Sequence, residues 1–97
     1  MSKIRKLRDD NVFNLKDNIP IIKYTKLFSL LDRYQISHND FYELSHVSTA
    51  TLQRLRKKDN TKVKMITLIK ILNGLNKLNQ NKHHTLNDII TVSYKNI

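Results

Sequence analysis

Cations between positions 49 and 64 are the side chains of this sequence best suited to chemistry. Six fall there against one acidic residue, Asp59, and they are Arg54, Arg56, Lys57, Lys58, Lys62 and Lys64. Such a run is often only the solvated face of a helix, but cations that border a groove-binding helix also contact phosphates. The whole chain carries a formal net charge of +10. This excess predicts a polyanionic partner, either nucleic acid or an anionic membrane surface.

Side chains for acid–base, nucleophilic or metal chemistry are scarce. The 97 residues include no cysteine, which excludes thiolate nucleophiles, disulfides and cysteine-ligated zinc. Glu43 is the single glutamate, and no serine, histidine and aspartate fall at the spacing of a catalytic triad. His83 and His84 are adjacent in a polar stretch without a carboxylate pair nearby, which is a weak metal signal. We therefore expect no enzymatic activity, no cofactor and no metal.

The length and composition predict one small domain behind a polar arm. Residues 1–18 form a basic arm that is either a frayed terminus or a segment that follows DNA, and residues 19–97 form the domain. A single glycine and a single proline disfavour an all-β fold with many tight turns. Apolar runs are too short to span a bilayer, and the N-terminus lacks the apolar core of a signal peptide. We expect a cytoplasmic protein.

Three helices are predicted in the first half of the domain. Leu27, Leu30, Leu31 and Tyr34 recur at the spacing of one buried helix face, and Thr25 is a suitable start cap. A second helix is expected from Ser37, which with Asp40 resembles a capping box, to about Ser45. Ser48 can cap a third helix from Thr49 to about Lys57. Phe41, Leu52 and Leu55 are the expected buried residues of these two short helices.

The second half predicts one longer helix and a short strand pair. Met65, Leu68, Ile69, Leu72 and Leu75 indicate a fourth helix, with Gly74 either within it or close to its end. Residues 76–85 are interpreted as a loop too polar to pack, and residues 86–90 as a final turn. The segments 19–22 and 91–94 alternate like short strands and could pair.

Two short helices around a brief break are typical of a helix-turn-helix, in which the second helix lies in the major groove of DNA. Four segments carry a resemblance to one such family: KYTKLFSLL, FYELSHVSTATLQRL, MITLIKILNGL and NDII. Residues 22–90 resemble the Cro/CI-type (lambda-repressor-like) helix-turn-helix domain, in a compact branch of bacterial and phage regulators. The resemblance implies an all-α fold of four to five helices, with a short terminal β pairing as an addition. It also implies a repressor that binds specific double-stranded DNA through residues 49–57.

The resemblance also implies roles for individual residues. The residues expected to read base edges are Thr49, Ala50, Gln53 and Arg54. The residues expected to contact phosphates are His38, Asn39, Ser48, Thr51, Arg56, Lys57, Lys58 and Lys62. Tyr42 stands where the family usually has alanine, so it must turn outward or the helices must separate. His46 stands at the usual glycine of the turn, where a positive φ costs about 1 kcal/mol.

Other functions remain open at this stage. A protein inhibitor or an antitoxin built on the same fold would use the basic face against a different partner. A membrane-surface role is disfavoured because the cations lack an adjacent stripe of exposed tryptophan, phenylalanine or leucine. As a regulator the chain would be a weak homodimer or a dimer formed on DNA, with Leu78, Leu86 and Ile89 as the expected contact residues.

Overall fold

The computed structural model describes residues 18–96, and for Asn18, Lys95 and Asn96 it describes the backbone only. The predicted arm, residues 1–18, therefore lies outside the described residues apart from the backbone of Asn18. The elements are β1 (Asn18–Lys23), α1 (Thr25–Arg33), α2 (His38–Ser45), α3 (Thr49–Lys57), α4 (Met65–Leu78), a 3₁₀ turn (Leu86–Asp88) and β2 (Thr91–Asn96). Within this range the fold is mostly helical with a two-stranded antiparallel sheet.

The four helices enclose one hydrophobic core. Its fully buried side chains come from every helix and from the turn before β2, and the largest are Phe41, Leu27, Leu31, Leu52, Ile71, Leu75 and Ile89. Tyr24 joins this core, and burial raises the pKa of its phenol above the usual value. The predicted faces of α1, α2 and α3 are confirmed. Phe28 is also buried, which the spacing on α1 did not indicate.

Helix α4 packs on α2 through its glycine. Gly74 is buried inside α4, and a Cβ atom built there would lie 2.7 Å from Cβ of Ser45 and 3.0 Å from the ring of Phe41. Both distances are too short for a side chain, so the close approach of the two helices requires glycine. Tyr42, on the same helix as Phe41, turns outward and is 44% exposed. The close approach of α2 and α4 is therefore compatible with a tyrosine at position 42.

One expectation at a helix end is corrected, and two apolar residues that mark α4 in the sequence lie away from the core. Thr25 is the first helical residue instead of the cap, because Tyr24 takes that position without a side-chain hydrogen bond. Met65 and Ile69 are 69% and 46% exposed, since the face of α4 toward the core is formed by Ile71, Gly74 and Leu75.

Residues 76–85 pack better than their polarity suggested, which corrects a further expectation. Helix α4 continues through Leu78, and His84 is buried. Oδ1 of Asn76 accepts the backbone N–H of His84 at 2.8 Å and lies 2.9 Å from its Nδ1, while Nε2 of His84 has no partner among the described residues. Desolvation lowers the pKa of His84, and Lys82 lowers it further. The hydrogen bond from the Thr85 backbone lowers the pKa of Asp88.

The predicted pairing of the two chain segments is confirmed. Strands β1 and β2 run antiparallel, with Ile22 opposite Val92 and Pro20 opposite Tyr94. The backbone N–H of Leu27 donates to the carbonyl of Ile89 at 3.2 Å, which ties α1 to the turn before β2. Ile89 is fully buried there, so it is not available for the protomer contact expected of it. Among the described helices none is both long and apolar enough to cross a bilayer.

Candidate nucleic-acid interface

The turn between α2 and α3 is fixed by a buried serine and a left-handed residue. Oγ of Ser45 donates to the carbonyl of Phe41 at 2.7 Å and accepts from the backbone N–H of Val47 at 3.1 Å. His46 has a φ of 63°, so a non-glycine residue adopts the left-handed conformation at this turn. The side chain of Val47 is buried beneath this turn. The angle between α2 and α3 is therefore set by packing and by satisfied backbone groups.

Helix α3 begins with a confirmed cap. Oγ of Ser48 accepts from the backbone N–H of Thr51 at 3.2 Å and donates to Oγ1 of Thr51 at 2.9 Å. Nη2 of Arg54 donates to the same Oγ1 at 3.3 Å, which draws the Arg54 guanidinium toward the start of the helix. At the other end, Oγ1 of Thr61 donates to the carbonyl of Lys58 at 2.9 Å. Both helix ends have hydrogen-bonded partners, so the exposed side chains project from a well-held element.

One exposed stripe of α3 brings together most of the predicted base-reading residues. Ala50, Gln53, Arg54 and Lys57 follow the i, i+3, i+4, i+7 spacing of a helix face, and with Lys58 they line a shallow groove. All five are exposed, whereas Leu52 and Leu55 face the core. Thr49 is half-buried at the start of the helix. The stripe therefore offers a methyl group, an amide and a guanidinium between cations, which are the groups that read base edges in the major groove.

A second, open cleft of about 460 Å³ adjoins this stripe at Arg54. Thr51, Arg54 and Lys62 line it together with Val63, Lys64 and Thr67. Lys62 was predicted to contact phosphates, and the cleft places it on the same side of the molecule as the stripe. Thr67 carried no signal in the sequence, because a lone threonine in an apolar helix does not stand out. Lys64 stands at the N-cap of α4 and makes no side-chain cap hydrogen bond.

Arg56 and His38 lie in a separate cluster between α3, α1 and α2. The Arg56 guanidinium lies 5.0 Å from the ring centroid of Phe28 and 3.6 Å from a carboxylate oxygen of Asp32. Its Nη1 is 3.3 Å from Nε2 of His38, whose ring in turn lies 5.7 Å from that of Phe28. Asn39 is exposed beside this cluster in the first turn of α2. The cluster joins the end of α3 to both preceding helices, a role that the sequence did not reveal.

Helix α4 carries an exposed apolar stripe near its start. Met65, Ile66 and Ile69 are 69%, 54% and 46% exposed, and Lys70 lies one helical turn from Ile66. The stripe is short and contains none of the tryptophan, phenylalanine or leucine whose absence beside the cations disfavours a membrane-surface role.

Metal ligands and related proteins add no further constraint. Within residues 18–96 no group of three or more histidine, aspartate or glutamate side chains is arranged to hold a metal. Comparisons of the chain with protein-family models, with curated proteins and with solved structures return no match.

Proposed function

We propose that this chain is a sequence-specific double-stranded DNA-binding regulator, a repressor of the Cro/CI (lambda-repressor-like) type, with α3 in the major groove. The observation that carries the proposal is the exposed stripe of Ala50, Gln53, Arg54 and Lys57 on a helix held at both ends. In this arrangement Arg54 pairs with guanine, Gln53 pairs with adenine, and Ala50 contacts a thymine methyl group. Thr49 reads a base edge at the start of the helix.

The phosphate contacts of the proposal flank this stripe. Lys57, Lys58 and Lys62 lie beside it, and the first turns of α2 and α3 add Asn39, Ser48 and Thr51. Arg56 and His38 were predicted to contact phosphates as well. Because the structure bonds them to each other and Arg56 to Asp32, we assign them to positioning α3.

The test is selection of binding sites from random double-stranded DNA, followed by anisotropy titration of the selected site and of a scrambled site. Arg54→Ala is expected to cost about 1–3 kcal/mol on the selected site and to relax preference at one base position. Lys57→Ala, on the same stripe, is expected to weaken both sites about equally. If no sequence is enriched, or if both variants scale all affinities alike, α3 is not a reading helix.

A second candidate function is a protein inhibitor or antitoxin on the same fold. The observation that favours it is the exposed stripe of Met65, Ile66 and Ile69, because apolar residues gathered on one helix face suit a protein partner. Such a protein would purify with one partner at a fixed ratio, and substituting these three residues would abolish that complex while leaving DNA binding unchanged.

A further inference from the structure

Two features of the structure meet at the start of α4. One is the exposed apolar stripe of Met65, Ile66 and Ile69. The other is the open cleft that the loop before α4 and its first turn share with Arg54 of α3. The residues of the two features alternate along the chain from Lys62 onward, so the stripe and the cleft adjoin. We call them together the α4 start surface.

The α4 start surface is positively charged as well as apolar. Lys62 and Lys64 flank the beginning of the helix, and neither forms an ion pair within the described part of the chain. The first turn of α4 contains no acidic residue, and its N-cap side chain makes no hydrogen bond. The positive end of the helix dipole therefore adds to the two lysines. Carboxylates followed by apolar side chains are the chemistry that such a surface accepts.

One segment of the chain has this composition. Residues 9–15, DDNVFNL, place two aspartates directly before Val12, Phe13 and Leu15. An acidic pair is uncommon in a chain with 18 basic and only 8 acidic residues. Residues 1–8 carry cations and no acidic side chain, so the surface would repel them. The second half of the N-terminal arm is therefore the part that fits.

The path of the chain brings this segment within reach. Nδ2 of Asn60 donates to the carbonyl of Pro20 at 3.3 Å, so β1 lies against the loop that leads into α4. The five residues from Asn60 to Met65 span at most about 18 Å, and the seven from Phe13 to Pro20 at most about 25 Å. The arm is therefore long enough to lie on the start of α4.

We propose that residues 9–15 of this chain dock on the α4 start surface. The two aspartates lie against Lys62 and Lys64, and the apolar side chains that follow them lie against the stripe. A segment tethered to its own site binds at an effective concentration of roughly millimolar, so a weak contact is sufficient.

The docked arm also regulates the candidate recognition helix. It covers Arg54, which lines the same cleft, and so competes with DNA for the stripe of α3. This competition rests on the proposed function, whereas the docking itself does not.

The test of docking uses the full chain without DNA. The chain contains no cysteine, so Asn11→Cys creates a single site for a nitroxide label within the docking segment. In dilute protein the label is expected to broaden the amide NMR signals of Ile66 and Ile69. Mixing labelled chains with unlabelled chains that carry the NMR isotope is expected to leave those signals sharp, because each arm occupies its own surface.

Charge reversal tests the contact itself. Asp9→Lys combined with Asp10→Lys is expected to abolish the broadening. Adding Lys62→Glu and Lys64→Glu to that variant is expected to restore it, because the charges are then complementary again. Asp17→Lys is the control, since it reverses a charge of the arm outside the docking segment and should leave the broadening unchanged.

A charge-neutral substitution tests the competition with DNA. If the arm is docked in about nine chains of ten, Phe13→Ser raises the apparent affinity for the selected site about tenfold. Ile4→Ser removes an apolar side chain outside the docking segment and should leave the affinity unchanged. Docking combined with an unchanged affinity of Phe13→Ser would overturn the competition.

The docking is overturned by any of three results. These are no broadening at the start of α4, broadening spread evenly over the domain, and broadening that arises only between copies. A bare surface would leave the stripe to a separate protein partner. Because the label experiment contains no DNA, its failure is distinct from a failure of DNA binding.

Discussion

Replacing Arg56 by methionine distinguishes a positioning role from a phosphate contact. Methionine keeps an unbranched stem beside Phe28 and removes the guanidinium that lies 5.0 Å from the ring centroid and 3.6 Å from Asp32. The cation–π contact at an exposed site contributes about 0.5–1 kcal/mol. The ion pair contributes about 0–1 kcal/mol, since the two side chains are 47% and 71% exposed. We therefore expect a loss of roughly 1 kcal/mol, or about 4–8 °C in Tm.

The same variant should leave the salt dependence of DNA binding unchanged. Each phosphate contact contributes about −0.9 to the slope of log K against log salt concentration. In our assignment Arg56 makes no phosphate contact, because its guanidinium pairs with Asp32 and lies over the ring of Phe28. Lys57→Met removes a neighbouring cation that is free of ion pairs within the described residues, so the slope should become shallower by about 0.9. The assay is anisotropy titration of the selected site at several salt concentrations.

The opposite pattern would refute this reasoning. If Arg56→Met makes the slope shallower by about 0.9 while Tm stays unchanged, the guanidinium leaves its cluster to bind phosphate. Wild-type protein is expected to show a total slope of about −4 to −6 per protomer, as for roughly 4–7 phosphate contacts. A flat salt response of the wild type would contradict DNA binding itself.

Three further predictions concern the scaffold. Gly74→Ala should destabilise the fold by about 1–3 kcal/mol because its Cβ would overlap α2, whereas Asn73→Ala on the exposed side should be nearly neutral in chemical denaturation. The pKa of His84 is lowered on folding, so the unfolded chain binds the proton first and stability should fall as pH drops below about 6.5. His84→Gln should lose that part of the pH dependence, and His83→Gln should keep it. His46→Gly should raise Tm or leave it unchanged, and a clear loss would contradict strain at its positive φ.

The sequence predicted the elements better than the contacts between them. Periodicity identifies the buried faces of α1 to α3 because each is a short amphipathic helix with one apolar stripe. In α4 apolar residues surround much of the helix, so the pattern could not distinguish the exposed Met65 and Ile69 from the buried Ile71. The sequence left Gly74 either within α4 or close to its end. Only its short distances to Ser45 and Phe41 show that the close approach of α4 to α2 requires glycine.

The exposed stripe of the candidate site could be predicted from the sequence, whereas the contacts of Arg56 could not. Helical spacing alone places Ala50, Gln53, Arg54 and Lys57 on one face. In the sequence Arg56 is simply another cation beside Lys57. Its partners Phe28 and Asp32 lie on α1, and contacts between residues so far apart in the chain leave no local pattern.

The loop after α3 connects the candidate recognition helix to the small sheet. Asn60, in the loop after α3, forms three hydrogen bonds with β1, and Nζ of Lys23 lies 4.0 Å from Oδ2 of the neighbouring Asp59. The position of α3 is therefore tied to the sheet through Asn60 and to α1 and α2 through Arg56. If the chain binds DNA as the expected weak dimer, a protomer contact too weak to persist in free solution would be sufficient on DNA, because binding of the first copy makes association of the second effectively intramolecular. Spacing between half-sites would then follow from that protomer contact, and base preference within each half-site from α3.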